Sequence, residues 1–221
     1  MILSYLGFEF EINFDDVNIV KLNIENKRVL KEIIFDFIYN LDESEGNIIF
    51  YESNSILKPS NYIYVFNDFF DLEISKNYLT KYYKVLNKRV SYEHLERFNI
   101  LQTSIHNYVK EIVLDENFDL EFDEITNLEL FKLVGLKLKY EENILLNIME
   151  NMKFINEILS IEIFVLINPE IYFSKEELDE LYKFSLYSKF KIIIISSENN
   201  LTTNHYIDKI ISIDEDLCEI F

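Results

Sequence analysis

Apolar and polar residues alternate along the first two dozen positions. Phe8, Phe10, Ile12 and Phe14 share one side of a pleat, followed by Val17 and Ile19 and then by Val20, Leu22 and Ile24. A period of two predicts short strands. The period lengthens after Asn26, which the pattern marks as a helix cap. Leu30, Ile33, Ile34, Phe37, Ile38 and Leu41 then fall on one stripe of a helix reaching about Leu41. Two short strands follow, Asn47–Tyr51 and Tyr62–Asn67.

From about 69 to 141 the pattern is helical. Leu79, Tyr82, Tyr83, Leu86 and Val90 mark one stripe, and Leu101, Ile105, Tyr108, Val109 and Ile112 another. Thr126-Asn-Leu-Glu129 reads as a capping box opening a short helix that Gly135 closes. A third pattern begins at 142, with a helix to about 158 and an all-apolar strand, Ile161–Ile167, ending at Asn168-Pro169. Ser174-Lys-Glu-Glu177 caps a helix to about Tyr187, and Lys191–Ser196 and Ile207–Ile213 are two further strands. Fully apolar strands separated by helices imply parallel strands covered on both faces. The expected fold class is α/β: a head with a mainly parallel sheet, built from residues 1–68 and 142–221, and an inserted helical lobe at 69–141.

Composition narrows the chemistry. Hydrophobic residues make up 49% of the 221 positions, enough for a real core. The net charge of -19 argues against nucleic acid or anionic membrane at the level of the whole chain, although binding follows the local field. Cys218 is the one cysteine, which excludes an internal disulfide and a cysteine-rich zinc site and fits a reducing, cytoplasmic setting. No basic n-region heads the chain, and no apolar run approaches the ~18 residues of a membrane span, so neither signal peptide nor membrane partner is expected. Gly7, Gly46 and Gly135 are the only glycines. Neither GxxxxGK[ST] nor GxGxxG can be assembled from them, which speaks against ordinary ATPase, kinase and dinucleotide chemistry.

Two charge patterns stand out locally. Asp115, Glu116, Asp119, Glu121, Asp123 and Glu124 crowd ten residues that hold no base. An extended backbone puts Asp119, Glu121 and Asp123 on one side, about 7 Å apart at successive positions. With Glu116 and Glu124 they offer the carboxylate oxygens that calcium takes, though without the glycine and spacing of an EF-hand. The competing reading is a solvated acidic linker before a capped helix. Bases follow: Lys132 in the last turn of its helix, then Lys137 and Lys139 alternating with Leu136, Leu138 and Tyr140. Between 76 and 97, Lys76, Lys81, Lys84, Lys88, Arg89 and Arg97 face only Glu93 and Glu96. Such stripes suit a phosphate backbone, and equally suit helix-dipole compensation and a solvated face. Lys27, Arg28 and Lys31 sit where a helix start prefers acids, which marks either an anion site or a small stability cost offset by Glu25 and Glu32. His94, His106 and His205 are scattered and make no catalytic pattern.

Phe118-Asp-Leu-Glu-Phe-Asp-Glu-Ile-Thr-Asn-Leu-Glu-Leu-Phe-Lys-Leu-Val-Gly-Leu-Lys-Leu resembles the "LDLEYDEIT…LELIK..GVK" run of the adaptation accessory proteins of type II-A CRISPR–Cas systems. The order of elements, the strand Phe164–Asn168, the capped helix at Ser174 and the length agree with that family. The resemblance implies a homotetrameric ring whose subunits carry an ATPase-like α/β head without a working phosphate loop, and a helical leg. It implies a lysine-lined hole that takes double-stranded DNA by its ends, calcium bound at the acidic run, and a non-enzymatic role in spacer acquisition for antiviral defence. The implied partners are the integrase complex and the effector nuclease of the same system. Carried onto this chain, Glu116, Asp119, Glu121, Asp123 and Glu124 become calcium ligands, and Lys132 and Lys137 line the hole. The alternation of charge adds Lys139, and the helix-start bases Lys27 and Arg28 are further DNA candidates. Asn117 departs from the family, where an acid is expected.

Two alternatives remain beside a DNA-end-binding ring. One is a nucleotide-binding or hydrolysing enzyme with an unusual phosphate site near Lys27. The other is a structural calcium-binding protein for which DNA is incidental.

Overall fold

The structure, a computed structural model, describes residues 1–42, 46–53, 55–72, 76–197 and 204–220. They divide into two compact units, Met1–Leu72 with Glu141–Phe221, and Glu73–Tyr140.

The first unit holds β1 (Ile2–Tyr5), β2 (Glu11–Asn13), β3 (Ile19–Ile24), α1 (Lys27–Tyr39), β4 (Ile48–Glu52), β5 (Ser55–Ile56) and β6 (Ile63–Phe66). The second holds α2 (Lys76–Glu93), α3 (Leu95–Leu114) and α4 (Asn127–Leu133). The chain then returns to the first unit with α5 (Ile144–Leu159), β7 (Ile163–Ile167), α6 (Lys175–Ser188), β8 (Lys191–Ser196), β9 (Lys209–Ile213) and β10 (Glu219–Ile220).

Six strands form a sheet in the order β10-β9-β3-β8-β7-β6. All neighbours are parallel except β10, which runs antiparallel to β9 at the edge. Leu22 of β3 lies opposite Ile195 of β8 and Ile211 of β9. Every residue of β3 and β7 is buried, as central strands covered on both faces require.

The amino-terminal alternation builds something the sequence reading lacked. β1 and β2 do not join the parallel sheet; they form a separate antiparallel sheet, β2-β1-β4-β5, with Leu3 opposite both Ile12 and Phe50. The predicted strand at 47–51 belongs to this sheet as well. A period of two gives each strand its inward face, but partner choice depends on residues some forty positions away. The inward faces of the two sheets, with Val29, Ile33 and Phe37 of α1, enclose one core that includes Leu3, Phe10, Ile12, Leu22, Ile24 and Phe50. The opposite face of β3 carries Lys21, whose Nζ meets Oε1 of Glu170 at 2.9 Å.

The helical unit is built differently. Among its described residues Tyr83 alone is buried, and the 20-residue α3 buries none. Residues 115–126 form no helix or strand and are exposed apart from the half-buried Ile125. Among the described residues no helix is long and apolar enough to cross a membrane.

Candidate nucleic-acid interface and acidic segment

The lysines after the acidic run are placed by α4. Thr126 caps that helix: its hydroxyl accepts from the Glu129 N–H at 3.3 Å, and the Glu129 carboxylate accepts from the Thr126 N–H at 2.8 Å. The Thr126 hydroxyl, which also donates to that carboxylate, holds the Glu129 carboxyl below its ordinary range. Gly135 ends the helix at φ +61, a conformation natural to glycine. The Gly135 N–H donates to the Lys132 carbonyl at 3.1 Å and the Leu136 N–H to Phe131 at 3.0 Å, the paired bonds of a Schellman motif. The turn therefore fixes the backbone between Lys132 and Lys137.

One further residue holds this segment. The Tyr83 hydroxyl of α2 donates to the Leu136 carbonyl at 2.5 Å, and its ring stands 6.0 Å from that of Phe131. Lys132, Lys137 and Lys139 are exposed. Lys132 and Lys137 make no ion pair with a described residue, although the Lys132 charge acts on Glu129 one turn back.

The acidic run is tethered at its end. Gln102 of α3 donates to the Ile125 carbonyl at 3.0 Å and to Glu124 at 3.4 Å, and the His106 ring lies 4.9 Å from that of Phe122. Glu116, Asp119, Glu121, Asp123 and Glu124 are all exposed. The donor chemistry suits a hard cation, since every group is a carboxylate. The arrangement does not preassemble a shell: among the described residues no three acids or histidines gather closely enough to hold a metal.

Lys27 and Arg28 lie elsewhere, on the first unit, at the start of α1. There the Asn26 side chain accepts from the N–H groups of Arg28 at 3.1 Å and Val29 at 3.2 Å, occupying donors that an anion would use. The Arg28 guanidinium pairs with Glu32 at 3.0 Å on the surface. Sequence reading found the capping box and the lysines. It missed Tyr83 and Gln102 as supports, because a tyrosine inside an apolar stripe and a lone glutamine carry no local signal.

Fold and site together define an α/β protein with an inserted helical unit, in which an acidic run leads into exposed lysines. Residues 38–217 match the family described as CRISPR-associated protein (Cas_Csn2). The chain belongs to this family of type II-A CRISPR accessory proteins. The crystal structure of Stu0660 of Streptococcus thermophilus is similar in fold, with a TM-score of 0.60 at 15% identity over 97% of this chain and 75% of that one. A putative ABC transporter ATP-binding protein from Pyrococcus furiosus aligns over 96% of this chain and 93% of that one at 17% identity, with a TM-score of 0.44, too distant to bear on the fold.

Proposed function

We propose that this protein binds double-stranded DNA by its ends, without catalysing a reaction, during the acquisition of spacers by a type II-A CRISPR system. The observation that carries this reading is the pair Lys132 and Lys137, both exposed, without an ion pair among the described residues and fixed by one helix-ending turn. In a chain of net charge -19, such a local cationic edge gives duplex phosphates a favourable place on an otherwise mainly acidic protein. Family membership supplies the biological setting, with the integrase complex and effector nuclease as partners.

A homotetrameric ring is the assembly in this reading. Its support is the apolar surface of the helical unit: Leu101, Tyr108 and Ile112 share one face of α3 and are exposed, and α3 buries nothing of its own. An apolar helix face of this extent is covered in a stable protein. Calcium, held by Glu116, Asp119, Glu121, Asp123 and Glu124, would neutralise the self-repulsion of the acidic run and order it beside the lysines. In this reading the head is a degenerate relative of phosphate-loop ATPases: β3 and α1 follow one another as the strand and helix flanking a phosphate loop do, but only Glu25 and Asn26 lie between them and Asn26 caps the helix.

Gel shifts with linear duplex and with covalently closed circular duplex of the same sequence test the end requirement. The linear form binds and the closed circle does not; equal affinity for both overturns threading from an end.

A further inference from the structure

The outer face of α1 has a chemistry that the fold does not use. Lys27, Lys31, Phe35 and Tyr39 follow at intervals of four residues and so line one ridge, about 6 Å per step. The core-facing side of the same helix is complete without them, through Val29, Ile33 and Phe37. Phe35 is 50% and Tyr39 68% exposed, and their ring centroids lie 4.9 Å apart. Beside this ridge a hollow of about 390 Å³ is lined by Arg28, Lys31, Glu32, Phe35, Asp36 and Asn47, a volume within the range of small-ligand sites.

The charges around the hollow are unequal. Asp36 accepts from Tyr5, from Asn40 at 2.8 Å and from Asn47 at 2.8 Å, so its carboxylate is already satisfied by the protein. Glu32 is paired with Arg28. Lys27 and Lys31 make no ion pair among the described residues and leave the ridge cationic, within a strongly acidic chain. Cations one helical step from exposed aromatic rings match a nucleotide, whose phosphate and base are separated by the sugar. Stacking on such rings is tolerant of sequence, and losing a ring weakens binding by about tenfold or more per base.

We propose that this face of α1 binds single-stranded nucleic acid, with Lys27 and Lys31 against phosphates and the Phe35–Tyr39 pair stacking bases. The surface is distinct from the lobe lysines, and the proposal does not rest on them.

The test is fluorescence polarisation of a labelled ten-nucleotide thymidine strand, alongside a blunt duplex, with four proteins: wild type, Phe35→Ala/Tyr39→Ala, Lys31→Glu and Lys132→Glu/Lys137→Glu. Both head variants alter exposed side chains, and thermal melts establish that they fold. The expected result is binding of the single strand by wild type, weakened about tenfold or more by each head variant and little changed by the lobe variant. Absence of single-strand binding by folded wild type overturns the proposal. So does unchanged affinity in the head variants, or binding of an acidic, aromatic peptide in place of the strand. Loss of duplex binding in the lobe variant alone reports on the lobe reading and leaves this one standing.

Discussion

The Tyr83 hydroxyl donates to the Leu136 carbonyl at 2.5 Å, one residue before Lys137. Among the described residues of the helical unit Tyr83 is also the one that is buried, so one side chain serves both its packing and the placement of the lysine segment. Tyr83→Phe keeps the ring and removes the bond. The expected cost is about 1 kcal/mol in chemical denaturation, with weaker duplex binding. Unchanged affinity would mean that Lys137 needs no such positioning.

A second prediction concerns Lys21 and Glu170, which meet at 2.9 Å across β8 with side chains only 9% and 19% exposed. Breaking such a pair strands a buried charge, whereas replacing both partners by apolar groups costs little. Glu170→Ala should lose about 3 kcal/mol in urea denaturation. Lys21→Met/Glu170→Leu should recover most of that loss, and failure to recover would show that the pair is more than a mutual neutralisation.

The third concerns pH. Burial pushes the Asp36 carboxyl up, but hydrogen bonds from Tyr5, Asn47 and Asn40 more than offset it and leave it below its ordinary value. Burial first, then the bond to Asp36 and its charge, push the Tyr5 hydroxyl well above its ordinary value. A lowered carboxyl contributes stability above its unfolded pKa of about 4, lost as pH falls towards the folded value. A raised phenol contributes below its unfolded pKa of about 10, lost as pH rises past it. Asp36→Asn should therefore flatten the acid limb of a stability–pH curve, and Tyr5→Phe the alkaline limb; limbs of unchanged slope would count against this linkage.

Calcium gives the fourth. An ion that binds only the folded state raises the melting temperature by mass action. Calcium should raise it and a chelator reverse the rise, with the response lost in Glu121→Gln/Asp123→Asn. A melting curve indifferent to calcium makes residues 115–124 a solvated acidic linker.

What the sequence disclosed divides by range of interaction. The capping boxes at Thr126 and Ser174 form as their spacing predicts, because a cap is a contact over three residues. The apolar run at 161–167 yields β7 from Ile163, since a strand buried on both faces needs no partner to be recognised. The antiparallel sheet was not legible, because Leu3 pairs with Phe50 through forty-odd residues of intervening chain. In the candidate site, the lysines and acids could be named from their spacing, whereas Tyr83 and Gln102 act on residues 53 and 23 positions away.

If Lys132 and Lys137 contact duplex phosphates, reversing their charge changes both the affinity and its salt dependence. Binding of a linear blunt-ended duplex is measured for wild type and for Lys132→Glu/Lys137→Glu, across a salt series. Phosphate contacts weaken binding steeply with salt, and each one removed lowers the slope by about one. Charge reversal should abolish or strongly weaken binding and flatten the salt dependence, in a protein that melts as wild type does. Wild-type affinity and slope in the folded double variant would contradict phosphate contact by these lysines.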